Sequence, residues 1–423
     1  MSDDADQGDA VTARVRAFYR RFPYPRLPEG GPAGIGHLLN DLSSIRHHVF
    51  DGTMPANRPV RVLIAGGGTG QSVMLLGAAL QAAKLRHELV YADLSEESAT
   101  IARRRAEAYG VQDVRYIVGP LEALDAEQIG RFDYIELYGV INHVADPAVT
   151  LRRLSGLLTD EGGIGVMAYG ALGRTGIYPV QKALRLLSGP EGEPTVDLAR
   201  TFLNGLPADN WVRKNPHLAD LPNLDDVELA DRFLNPNDRA FEVRDLAALC
   251  AIGGLAIRAF VPAGLYAPER HCRDAALHDR LRGMNPIDRA QMAEWLQGTL
   301  HVHEFFAAPT ARAAADMIVW LSEETTRLVP RALKADVFSQ ISAAAGQAVE
   351  IDLKFGGMTR TLRVAFEPSE AIVVGLLPEQ PTIGRVIETL HRQGFDNAAA
   401  VAAIRRVWDA FHAVGTLHLA REP

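Results

Sequence analysis

Cysteine is almost missing from this 423-residue chain: Cys250 and Cys272 stand apart, and neither has a second cysteine at metal-ligand spacing. That excludes a disulfide framework and a cysteine-based zinc site, and it predicts a protein of the reducing cytoplasm. Long apolar runs are missing too. The longest, Leu246 to Ile257, is far short of the roughly 20 residues of a bilayer-spanning helix and carries a Gly-Gly break. The first residues, Met1-Ser-Asp-Asp-Ala-Asp6, are acidic, where a secretory signal would be basic and then apolar. Basic charge is in deficit as well, with a formal net charge of −8, which speaks against a general nucleic-acid surface. Neither a nucleic-acid nor a membrane partner is therefore expected. What is present is a globular composition, 47% apolar and 23% charged, on a chain long enough for two or three domains.

Hydrophobic periodicity divides the chain. Residues 1–58 read as a helical leader or lid: a helix over Val11 to Phe22 is stopped by Pro23-Tyr24-Pro25-Arg26, and a second amphipathic segment runs from His37 to Phe50. From Val60 strand and helix alternate. The strands are predicted at Val60–Ala65, Glu88–Ala92, Val114–Val118, Phe132–Leu137 and Gly163–Ala168, the order of a doubly wound parallel sheet. Residues of about 170–240, rich in Pro, Asn and Gly, read as an insertion of short helices. Strand–helix order returns through Leu255–Val261 and Leu300–Ala307, closing a domain over 59–310. The remainder, 311–423, is predicted as a small α+β unit with helices before Asp336. Strands follow at Ala348–Phe355, Thr359–Phe366 and Ile372–Leu376, then two helices and a last strand at Leu417–Leu419. It resembles a winged-helix or peptide-recognition module without an evident basic recognition helix.

One segment carries chemistry. Gly66-Gly67-Gly68-Thr69-Gly70 lies where the first strand turns into a helix, so the main chain can approach a ligand and helix N–H groups face an anion. Asp93 ends the second strand, where a carboxylate can accept both hydroxyls of a ribose. A dinucleotide fingerprint would need glycine at position 71 or 73; Gln71 and Val73 stand there. The tighter spacing suits an adenosyl ligand without a pyrophosphate.

These residues resemble the first motifs of the class I S-adenosylmethionine (SAM)-dependent methyltransferases. Val62–Gly70 is similar to the first motif and Tyr91-Ala-Asp93-Leu94 to the second. Val118-Gly-Pro-Leu121-Glu122 is similar to the segment that closes over the adenine, and Phe132–Pro147 to the fourth-strand motif and its loop. The resemblance covers roughly residues 59–170 and implies a Rossmann-like fold with SAM as cofactor. It places Gly66, Gly67, Gly68, Gly70, Asp93, Leu94, Leu121 and Tyr138 around that cofactor. Ile64 stands where family members usually carry an acidic residue, so the methionyl amino group must find another acceptor, such as the Gly66 carbonyl or a leader residue.

Methyl transfer from a sulfonium is an in-line displacement that depends chiefly on alignment, and a base is needed only for a protonated acceptor. His143, on the loop after strand four, is the candidate base, with Tyr138 and Tyr178 beside it as candidate catalytic residues. Tyr169, Arg174 and Gln181 on a glycine-rich loop, with Tyr24 and Arg26 of the leader, are candidate substrate contacts; a leader with Tyr-Pro-Arg resembles the lid of some bacterial members. The acceptor is expected to be an O or N atom of a peptide, a protein or a small molecule. No metal is expected, and His47-His48, His301 and His303 read as structural. Two other readings stay open at this point: a SAM-binding, non-catalytic partner subunit, suggested by Ile64 and the C-terminal unit, and an NAD-dependent oxidoreductase. The C-terminal unit is left with two roles, substrate docking or homodimer formation.

Overall fold

The computed structural model describes residues 2–26, 36–190, 192–218, 220–272, 274–312, 325–331, 335–355 and 358–421. The Gly/Pro stretch of the leader over 28–35 and most of the helical segment expected before Asp336 lie outside the described residues. The first helix, α1 (Ser2–Arg21), starts nine residues earlier than its apolar pattern, because that pattern marks only the part with a buried side. A short helix, α2 (Leu42–His48), follows, capped by the Asp41 carboxylate on the Ser44 amide.

The strands β1 (Val60–Ala65), β2 (His87–Asp93), β3 (Val114–Val118) and β4 (Phe132–Tyr138) fall where the apolar runs place them, while β5 (Leu158–Tyr169) starts five residues before the expected Gly163, its pairing with β4 shifting register between Leu158 and Gly163. They alternate with α3 (Gln71–Ala82), α4 (Glu96–Ala108) and a helix over Pro147–Gly156. With β6 (Leu255–Val261) and β7 (Val302–Pro309) they form one sheet in the order β3-β2-β1-β4-β5-β7-β6. The sheet is not wholly parallel: β7 runs antiparallel to both β5 and β6, so its last strand returns between two forward ones. The order reverses between β1 and β4, and the carboxyl ends of those strands border the crevice where ligands of such sheets bind. One face packs Leu63, Ile135 and Val166 under the helices; the other packs Val62, Ile64, Tyr91 and Tyr134 against the leader.

Residues of the insertion form helices over Ile177–Ser188, Val196–Asn204, Trp211–Lys214 and Asp226–Phe233 with an apolar cluster of their own, which Phe18 and Phe22 of the leader join. Beyond 325, β8 (Thr326–Pro330), missed in the sequence, pairs with the terminal β11 (Leu417–Arg421), while β9 (Ala348–Phe355) and β10 (Met358–Ala365) make a separate hairpin. The run Ile372–Leu376 is not a strand. It ends a helix, Pro368–Leu376, whose first turn is fixed by proline at the start and by the Glu370 carboxylate on the Glu367 amide. Among the described residues no helix is long and apolar enough to cross a membrane.

Candidate functional site

A chamber of about 530 Å3 opens at the carboxyl ends of β1, β2, β4 and β5, roofed by α1 and flanked by the insertion. Its floor is the glycine turn. Gly66 and Gly68 adopt φ of +72° and +50°, and a methyl group on Gly68 would lie 2.4 Å from the Tyr24 carbonyl oxygen. That carbonyl accepts the Thr69 amide at 3.0 Å, and Thr69 Oγ1 donates to the Pro25 carbonyl at 2.5 Å, so the leader is bonded directly to the turn. Asp93 closes the next side. Its Oδ2 accepts the Gly68 amide and its Oδ1 the Ser95 amide, both at 2.8 Å, while burial raises its pKa above the usual carboxylate range.

Of the residues the sequence put around a cofactor, Gly66, Gly67, Gly68, Asp93, Leu94, Leu121 and Tyr138 line this chamber. Gly70 does not. It caps α3 at φ +96° and packs against Ala102 of α4, where a side chain would clash. The acidic position absent from β1 has a neighbour: Ile64 is the registered partner of Glu136 on β4. Glu136 is buried on the chamber wall. Its Oε1 accepts from Ser72 Oγ at 3.0 Å and lies 3.2 Å from His37 Nε2, while Oε2 has no hydrogen-bond partner. Burial holds the Glu136 carboxyl up at about 8 and the His37 imidazole down at about 3. His37 also stacks on Tyr138 with ring centres 3.8 Å apart.

The opposite wall is built from the leader and the insertion. Tyr19 Oη donates to Asp231 Oδ1 at 3.0 Å, Tyr169 Oη lies 3.4 Å from Oδ2, and Tyr24 and Glu228 stand on the same wall. Burial raises the pKa of Asp231 and of all three tyrosines. His143, on the turn after β4, donates from Nδ1 to the Asn237 carbonyl at 2.9 Å; Nε2 is buried without a hydrogen-bond partner. Its ring meets Tyr19 and Tyr169 edge-on.

Four expected substrate or catalytic contacts sit differently. Arg174 reaches the wall, but its guanidinium is paired with Asp238 at 2.6 Å and lies over the Tyr169 ring, so it holds that ring rather than waiting for an anion. Tyr178 is off the wall with its hydroxyl 3.2 Å from Arg174 Nε, and Gln181 is buried on Asp238 at 2.7 Å. Arg26 is largely exposed, 3.8 Å from Asp225. Sequence reasoning missed Glu136, His37 and Asp231. For Glu136 a signal existed, namely an acid inside the apolar run Phe132–Leu137. Asp231 gave none, because only tertiary packing brings the insertion helix over the sheet.

The histidines read as structural in the sequence include an unexpected group. His47 and His48 of α2 meet His412 with ring nitrogens within 4.8 Å of one another, and His418 joins them. His47 Nδ1 accepts the Leu419 amide at 3.2 Å, which puts that neutral ring's proton on Nε2 and leaves it no lone pair for a metal.

A parallel sheet reversing at a glycine turn, with an acid ending the adjacent strand, defines an adenosyl-binding Rossmann-like domain. Residues 63–164 match the family model described as a methyltransferase domain. The chain is 28% identical over 306 residues to a Synechococcus protein named only "Uncharacterized protein syc1184_c", covering 70% of this chain and 72% of that one. It is 33% identical over 115 residues to the tRNA 5-carboxymethoxyuridine methyltransferase of Escherichia coli, spanning only 42% of that protein's length and 27% of its own. Among solved structures, PKMT2 from Rickettsia typhi superimposes with a TM-score of 0.66 at 13% identity over 94% of this chain and 77% of that one. It has also been solved in complex with AdoHcy. The chain thus carries, over residues 63–164, a SAM-dependent methyltransferase domain. The nicotinamide reading is thereby set aside.

Proposed function

We propose that this methyltransferase transfers the methyl group to an amine nitrogen, presented by a peptide side chain or a small molecule. The observation that carries the reading is the His143 ring. Its Nδ1–H is spent on the Asn237 carbonyl, so Nε2 keeps a lone pair on the chamber wall, ready to take a proton. Asp231, buried on the same wall, favours a cationic acceptor. The charge of the wall selects the acceptor class. Asp231 faces a tyrosine-lined space, whereas Arg174 is paired with Asp238, and Arg232 with Asp220 at 2.9 Å and with Glu228 at 3.9 Å. Such a wall attracts an ammonium and repels a carboxylate, and the tyrosine faces add cation–π attraction.

The glycine turn and Asp93 fit the nucleoside: a floor without side chains and a carboxylate at the ribose end. SAM supplies an electrophilic methyl on a sulfonium. Tyr19, Tyr24 and Tyr169 hold the acceptor in line and exclude water, and His143 Nε2 accepts the proton that the nitrogen must lose before or during attack. Of the leader residues, Tyr24 serves this wall and Arg26 does not. The C-terminal unit, 311–423, braces the leader, and the cytoplasmic assignment rests on the two free cysteines.

The test is His143→Gln, assayed with labelled SAM against amines, phenols and carboxylic acids. The expected result is unchanged SAM binding, with transfer to amines lowered about a hundredfold. Undiminished turnover at saturating SAM would remove the base, and transfer to carboxylates alone would remove the amine.

A further inference from the structure

We infer that Glu136 replaces the missing first-strand acid: with Ser72 and His37 it forms the subsite that binds the ammonium of the cofactor's amino-acid end. The inference rests on the SAM reading of the chamber. Ile64 and Glu136 are registered partners on neighbouring parallel strands, so their side chains leave the same face one strand spacing apart, about 4.8 Å. The carboxylate has thus moved sideways by one strand without leaving the end of the sheet or the wall of the chamber. One of its oxygens is already held, Oε1 by the Ser72 hydroxyl. Oε2, buried and without a hydrogen-bond partner, is left for an incoming N–H group. An isolated buried carboxylate is costly, and an ammonium in contact with it removes most of that cost.

The surroundings favour a neutral carboxyl before the ligand arrives. His37 is uncharged in its buried place, Glu304 of β7 adds negative charge, and Tyr134 and Tyr138 of the same strand are buried beside it. With its pKa near 8, Glu136 is mostly protonated at neutral pH. Pairing with an ammonium favours the ionised form, so ligand binding releases a proton. His37 comes from the leader, and its carbonyl accepts from Arg331 Nη2 at 3.2 Å. The subsite is therefore complete only with the leader in place.

The experiment is calorimetric titration of wild type and Glu136→Gln with three ligands: AdoHcy, decarboxylated S-adenosylmethionine, which keeps the amine but lacks the carboxylate, and 5′-methylthioadenosine, which lacks both. In the variant the two amine-bearing ligands are expected to lose affinity about thirtyfold, while methylthioadenosine stays within about threefold. Repeating the titrations in buffers of different ionisation enthalpy reads proton release, which is expected for wild type with the amine-bearing ligands and absent in the variant. Methylthioadenosine binding doubles as the folding control. Equal losses for all three ligands, or none for AdoHcy, would overturn the assignment. Wild type that binds none of the three would bring down the cofactor reading itself, and Glu136 with it. As a rescue, Ile64→Glu combined with Glu136→Gln is expected to regain part of the affinity for the amine-bearing ligands alone.

Discussion

At the scale of single residues, the polar atoms of this site are mostly committed to the chain itself, and the few left over mark where a ligand is to be met. Asp93 shows the economy. Its two oxygens already accept the Gly68 and Ser95 amides, so it shapes the glycine turn as well as facing the nucleoside. Asp93→Ala is expected to lower SAM affinity by at least about thirtyfold, measured by calorimetry, because a ribose partner and the brace of the turn are lost together. Near-normal binding would contradict the ribose assignment. Much of this was legible in the residues: Gly66, Gly67, Gly68, Asp93, Leu94, Leu121, Tyr138 and His143 were named from motif and spacing and line the chamber, whereas Gly70, named with them, packs against α4 instead. Arg174 shows why other residues were not. A loop arginine looks available to an anion until its partner is known, and Asp238 lies 64 residues away in sequence.

At the scale of elements, periodicity located the strands of the core to within a few residues because buried parallel strands are continuous apolar runs. It failed where pattern was ambiguous or where partners are remote. Ile372–Leu376 is as apolar as a strand, and only its Pro-Ser-Glu start shows that it belongs to a helix. The strand β8 is recognisable only through its pairing with β11, which lies at the far end of the chain.

The junction of α2 with β11 makes its own prediction. His47, His48, His412 and His418 are buried together, with Arg258 and Arg331 adding positive charge, and burial holds all four pKa values below the ordinary histidine range, His412 at about 4. A depressed histidine pKa means that the unfolded chain takes up protons first as pH falls below about 6.5. The cluster's contribution is therefore full above that value and is lost progressively on acidification towards the folded pKa values. The melting temperature is expected to fall between pH 6.5 and 5, and less steeply in His412→Gln; identical slopes would exclude the cluster as the cause.

At the scale of the whole molecule, the C-terminal unit meets the active domain directly, where the Gly264 amide donates to the Ala413 carbonyl at 2.8 Å, and also through the leader. Arg331, just beyond β8, pairs with Asp41 at 2.9 Å and reaches the His37 carbonyl, and the Arg421 amide donates to Gly52 at 2.9 Å. Removing that brace is expected to loosen His37 without touching the nucleoside. Arg331→Ala should weaken AdoHcy binding several-fold, with methylthioadenosine binding unchanged. A variant with wild-type affinity for both would confine the C-terminal unit to roles outside the chamber.

The carbonyl of Tyr24, seated against Gly68 and holding the Thr69 amide, has a kinetic consequence. The roof is stitched to the floor beside the place proposed for the adenosine, so release of a spent nucleoside is expected to wait for that stitch to open. A burst of methylated product in the first turnover under saturating acceptor is then expected, and its absence would put the limit back on chemistry at sulfur.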